Sequence, residues 1–122
     1  MTRFPDADDV VQVHELARDL LQRAGAEHAR RAGRTLPHPV DGLRQTVIAL
    51  MAGASLGEHE SPGAASLLVI RGRVRLIAGD HSIELGVHQC SPIPDRRHSL
   101  HADDDSVVLL SVAVLERAPL GD

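Results

Sequence analysis

Aromatic residues are almost missing from this 122-residue chain: Phe4 stands alone, and there is no tyrosine or tryptophan. Base-stacking platforms of the kind that hold single-stranded nucleic acid are therefore absent. A basic excess is missing as well, since 13 Lys+Arg against 17 Asp+Glu give a formal net charge of -4 with histidine neutral. That field repels phosphate backbones, and no nucleic-acid partner is expected. Cysteine is down to Cys90, so no intramolecular disulfide can form, which suits a reducing, cytoplasmic setting. Without a Cys-x-x-Cys context it reads as a small buried apolar residue rather than a thiolate ligand. Apolar runs such as Leu67–Ile70 and Val107–Leu110 are far too short to cross a bilayer, so no membrane partner is expected. The acidic start, with Asp6, Asp8 and Asp9, does not have the form of a secretory signal. Phosphate-cradling glycine loops, a nucleophile elbow and a Ser/His/Asp ordering are also lacking, which removes support for hydrolase and nucleotidyl chemistry.

What is present is ordinary globular material, 43% hydrophobic and 25% charged, in a length that fits one domain. From Asp9 to Arg31 the apolar residues Val10, Val13, Ala17, Leu20, Leu21 and Ala24 recur at intervals of three and four, which predicts one amphipathic helix. Asp6, Asp8 and Asp9 are expected to cap its start, and Arg30, Arg31 and Gly33 to supply cations and a cap at its end. Residues 1–34 thus form a helical lead-in whose apolar stripe needs cover, from the domain that follows or from a second copy of the chain. The segment from Thr35 to Gly42, with Pro37 and Pro39, reads as a loop.

Beyond Leu43 the texture changes to short Val/Ile/Leu runs broken by Gly, Pro and Asp, the pattern of antiparallel strands. Strands are predicted at Leu43–Met51, Ser55–His59, Ser66–Arg71, Arg73–Ala78, Ser82–Leu85, Gln89–Ile93, His98–Ala102 and Ser106–Val114. Gly72 and Gly79-Asp80 are the expected tight turns, and Asp103-Asp-Asp a polar one. The alternating Arg71, Arg73 and Arg75 read as a solvated strand face. This is an all-β domain over residues 43–116, closing into a barrel or sandwich behind one helix.

Eight histidines are many for such a length. His59 and His98 separate from the rest because each ends or opens an apolar β segment beside a turn. Around them, Gly53-Ala-Ser-Leu-Gly-Glu-His59-Glu-Ser61-Pro-Gly-Ala-Ala65, continuing to Gly72, resembles the first motif of the cupin superfamily. The stretch from Gly86 through Pro92 and Pro94 to His98 is similar to the second motif. The resemblance implies a small cupin-type antiparallel β-barrel or jelly roll, and a divalent metal (Zn, Fe, Mn or Ni) near His59 and His98. In that motif Ser61 takes the place of the second histidine and Ala65 that of the glutamate, so only two ligands carry over, whereas zinc and iron sites normally use at least three. Strand alternation should point Glu58 and Glu60 away from the His59 face unless a bulge intervenes. Strict counting in the second motif brings Arg97 to the histidine position. His98 is preferred on the expectation that the Pro92–Asp95 turn absorbs one residue, because a one-residue slip reverses facing.

Gln45, Ser61 and Arg96 are expected to join the two histidines as polar groups of a mostly apolar pocket that binds a small polar molecule. Three roles follow from the resemblance: a binding cupin with a weak or incomplete metal site, a metal-dependent dioxygenase, isomerase or decarboxylase, and a ligand-sensing regulatory module. A homodimer is expected from the resemblance, from the helix stripe and from the open sheet edges.

Overall fold

A computed structural model of the chain describes residues 3–37, 40–60 and 63–114. One helix, α1 (Val13–Ala26), precedes the strands β1 (Arg31–Thr35), β2 (Leu43–Leu50), β3 (Ser55–His59), β4 (Ala65–Arg71), β5 (Arg73–Ala78), β6 (His81–Gly86), β7 (Cys90–Pro92), β8 (His98–Ala102) and β9 (Ser106–Ala113). They form two antiparallel sheets, ordered β1-β2-β9-β4-β7 and β3-β8-β5-β6. β2 to β9 are the strands predicted from the sequence, each within one residue of its expected ends.

Two apolar clusters arise because the five-stranded sheet is covered on both faces. On β2, Val47 and Ala49 point one way, and with Val107 they meet Leu16, Ala17, Leu20 and Ala24 of α1. Leu50 points the other way, with Ile48 beside it, into the space between the sheets, where it joins Leu67, Val69, Val74, Leu76, Leu85, Leu100, Ala102 and Val108. The helix stripe from Leu16 to Ala24 is thus covered by the chain's own sheet, while Val10, predicted to belong to it, lies before the helix and is 65% exposed. That removes one of the grounds for expecting a second copy.

The helix is shorter than its predicted span. It ends at Ala26, where the Glu27 N–H donates to the carbonyls of Arg23 and Ala24, and Arg31 and Gly33 belong to strand β1 instead of a helix cap. This strand escaped the sequence reading because it lies at a sheet edge and has no apolar alternation: Arg31, Gly33, Arg34 and Thr35 are exposed and only Ala32 is half-buried. At the other end the acidic residues do not cap α1, whose N-cap residue is Gln12. They build a separate 3-10 turn at Ala7–Asp9, in which Asp9 accepts the Asp6 N–H at 2.8 Å and a fork from Arg3 at 2.6 and 2.7 Å.

The turn that carries the chain from one sheet to the other depends on glycine. Gly72, with φ of +83°, joins β4 to β5, and a Cβ there would collide with Ser106 Oγ and the Asp105 carbonyl. Ser106 is fully buried; its Oγ accepts the Arg73 N–H at 3.0 Å and lies 2.7 Å from the Asp104 carbonyl, to which it can donate. Asp103 receives Arg75 Nε at 3.0 Å, and Asp105 receives the Ala52 N–H at 2.8 Å, so the three aspartates brace the β8–β9 turn. Among the described residues no helix is long and apolar enough to cross a membrane. Cys90 is exposed on the edge strand β7, contrary to the buried position expected of it, because a three-residue edge strand has no layer over that face.

Candidate functional site

His59 ends β3 and His98 opens β8, and the two are direct cross-strand partners. Their ring centroids lie 4.5 Å apart with an interplanar angle of 63°, an edge-to-face contact. His98 is 4% exposed, whereas His59 reaches solvent. Leu56 also faces the interior, and simple alternation would then turn Glu58 inward and His59 out. A register shift between Leu56 and His59 inserts an extra residue and reverses the facing, which brings the imidazole in.

The second register question resolves on β8. His98, Leu100 and Ala102 are buried while Ser99 and His101 are half-buried on the other face. Arg97 points outward, donating to Glu58 at 2.7 Å and to Glu60 at 3.1 Å. Its pKa is raised above the ordinary guanidinium value, chiefly by the bond to Glu58. Both glutamates are therefore committed to a surface clamp between β3 and β8, on the side away from the imidazoles.

Each imidazole has one nitrogen already assigned. His59 Nδ1 lies 2.7 Å from the Gly57 carbonyl and His98 Nδ1 lies 2.8 Å from the Arg96 carbonyl. A carbonyl oxygen only accepts, so both Nδ1 atoms carry hydrogen and, in the neutral rings, both Nε2 atoms hold a free lone pair. The rings line a cavity of about 30 Å³ together with Ile48, Leu56, Leu67, Leu76, Ile93, Leu100 and Leu110. Such a space admits one or two water-sized groups.

The other expected pocket residues are elsewhere. Gln45 is on the same face of β2 as Val47 and Ala49, the helix-bearing face, where its Nε2 donates to Ser111 Oγ at 3.1 Å. Its polarity gave no hint of facing, because both faces of that sheet are covered. Arg96 lies outside the histidine cavity, with Nη2 3.4 Å from the Ala78 carbonyl. Only its main chain serves the site, by fixing His98. Ser61 lies outside the described residues. The apolar wall was expected only as unnamed Val, Leu and Ile side chains; Ile48, Leu67 and Leu110 could not be singled out, because β2, β4 and β9 are apolar on both faces.

No protein-family model matches the sequence, and no curated protein does. Solved structures do match. A conserved protein of unknown function from Streptococcus pyogenes is 27% identical with a TM-score of 0.65, over 75% of this chain and 80% of that one. A cupin superfamily protein from Desulfitobacterium hafniense is 19% identical with a TM-score of 0.63, over 75% and 87% of the two chains. KdgF from a Halomonas species is 16% identical with a TM-score of 0.62, over 74% and 84%. The chain has the cupin fold.

Cupins often bind metals, so the fit of these residues to a metal can be tested on the donor set. Two imidazole Nε2 atoms are suitable donors, but Ala65, which lies opposite Val112 on the inward face of β4, brings no oxygen. Among the described residues no group of three or more His, Cys, Asp and Glu side chains converges. The described residues therefore do not complete a zinc or iron site of the usual kind.

Proposed function

We propose that this cupin is a binding protein, which takes a small polar molecule by a hydroxyl or N–H group presented to the His59 and His98 pair. The observation that carries the reading is the fixed pairing of both Nδ1 atoms with backbone carbonyls, at 2.7 and 2.8 Å. It leaves two acceptor lone pairs beside an apolar cavity too small for more than the tip of a ligand. A donor entering there replaces water at acceptors that have few other partners. The exposed His59 side leaves room for the rest of the molecule, and the leucine and isoleucine walls favour a ligand whose buried tip carries a single polar group.

The test is a nitrogen-detected NMR titration of the imidazoles with a panel of small alcohols, polyols and amides. Saturable shifts of the His59 and His98 Nε2 signals that disappear in His98→Leu are expected. A panel that leaves both rings unmoved, or binding that survives His98→Leu, overturns the proposal. A stoichiometric divalent ion that persists through chelation and is lost in His59→Ala would instead favour the metal-dependent enzyme. The reading is completed by a cytoplasmic setting, in keeping with the single thiol, and by a homodimer, for which the open edges of β1, β3, β6 and β7 remain the support; a monomeric mass in light scattering would remove the latter.

A further inference from the structure

The two sheets do not close on each other everywhere. β6 and β7 are the last strands of their sheets and do not pair, and between them lies a cleft of about 260 Å³, far larger than the histidine cavity. Leu76 lines both spaces, so the cleft abuts the barrel interior without being part of the histidine site.

Two features of the cleft point to a ligand. Ile83 is the register partner of the buried Leu76 and shares its inward face, yet it is 51% exposed, because the opposite sheet stops at β7. With Pro92, which is also exposed, the half-buried Pro94 and the edge of the buried Leu76 it makes an apolar wall to the cleft. Arg96 stands on the same cleft and is held there. Its Nη2 reaches the Ala78 carbonyl at 3.4 Å, and it rests where Gly79 has no side chain: a Cβ at that residue would come within 2.6 Å of Nη2. Arg73, Arg75 and Arg97 each hold a carboxylate, whereas Arg96 has no ion pair among the described residues. The neighbouring Asp80 is 95% exposed and turned toward His81, at 3.6 Å. One unpaired guanidinium beside an apolar wall matches one negative charge on a short apolar body.

We infer that this cleft is a second binding site, for a small amphipathic monocarboxylate, with the carboxylate on the Arg96 guanidinium and the apolar body against Ile83, Leu76, Pro92 and Pro94. The planar fork of Arg96 suits a carboxylate; His81, the other basic side chain on the cleft, lies 3.6 Å from the Asp80 carboxylate, and the apolar wall disfavours a multiply charged phosphate. The Ser82 hydroxyl, also on the cleft, is available to a carboxylate oxygen.

The full-length chain, isotopically labelled, is titrated with hexanoate, acetate, 1-hexanol and inorganic phosphate while backbone amide shifts are followed. Hexanoate is expected to give saturable shifts centred on residues 78–83 and 91–96, with acetate, 1-hexanol and phosphate each weaker by about tenfold or more. Arg96→Gln should weaken hexanoate by a similar factor, Arg96→Lys by less, and Ile83→Ser should erase the preference over acetate; matched melting curves confirm that the variants fold. Phosphate or 1-hexanol binding as tightly as hexanoate, an undiminished response in Arg96→Gln, or no saturable response overturns the inference. Shifts centred on His59 and His98 place the carboxylate in the barrel and overturn it while leaving the histidine-site proposal standing. Loss of the alcohol response at the imidazoles with hexanoate still bound in the cleft does the reverse.

Discussion

The two faces of the five-stranded sheet carry similar apolar strands but different contents. On the helix side Ala17, Leu20, Ala24, Val47, Ala49 and Val107 are completely buried, and no charged or histidine side chain intrudes among them. On the barrel side the same strands face His98, a cavity of about 30 Å³ and, at the sheet margin, the half-exposed Ile83. The buried residues of α1 pack directly on one face of the sheet, whereas the two sheets leave a cavity between them lined by His59 and His98. Dry packing therefore collects on one face, and space for chemistry on the other.

The largest expected effect lies on the packed side. Leu20→Ala should cost about 2–5 kcal/mol in chemical denaturation followed by circular dichroism. Leu56→Ala, on a cavity wall that is already incompletely filled, should cost clearly less. Equal losses would erase the distinction between the faces. Next comes the turn that seats the two layers: Gly72→Ala adds a Cβ against Ser106 and Asp105 and forces a left-handed backbone, and about 1–3 kcal/mol should be lost. A melting temperature equal to that of the parent protein would show that this junction yields easily.

A smaller change in stability is expected on the barrel side. His98→Leu replaces a buried imidazole by an apolar group of similar volume, so stability should shift by no more than about 1.5 kcal/mol while all response at the imidazole pair is lost. A collapse of the fold would mean that His98 is a structural member rather than a binding one. The smallest effect concerns the N-terminal turn beside the helix. The Asp9 carboxyl is held below its ordinary value of 3.8, chiefly by the hydrogen bond from Arg3. Because the folded-state pKa is depressed, its contribution is present above about pH 4 and fades as pH falls through the lowered value. Protection of the turn amides, measured relative to their intrinsic exchange rate, should fall over that acid range, and Asp9→Asn should flatten the dependence.

Much of this was legible because long apolar runs leave few choices. β2, β4, β5 and β9 each alternate or run apolar between turn residues, and the histidine-bearing ends of β3 and β8 could be placed by their neighbouring glycines and prolines. β1 was not legible, since an edge strand with four exposed residues out of five has no buried face to write into its sequence. Gln45 was assigned to the wrong face for the opposite reason: both sides of its sheet are covered, and hydrophobicity carries no sign of direction there. Arg96 was misplaced by the turn before β8, whose path decides that the main chain of this residue supports His98 while its side chain turns to the cleft.

The shift between Leu56 and His59 has a consequence for how this site could arise or vanish. That shift, more than residue identity, decides which side chain looks inward at that point of β3. Losing one residue from the Gly57-Glu58 pair would leave His59 two positions after Leu56 and still opposite His98 in a regular ladder, whereas closing the bulge at the present length would turn Glu58 inward and the imidazole out.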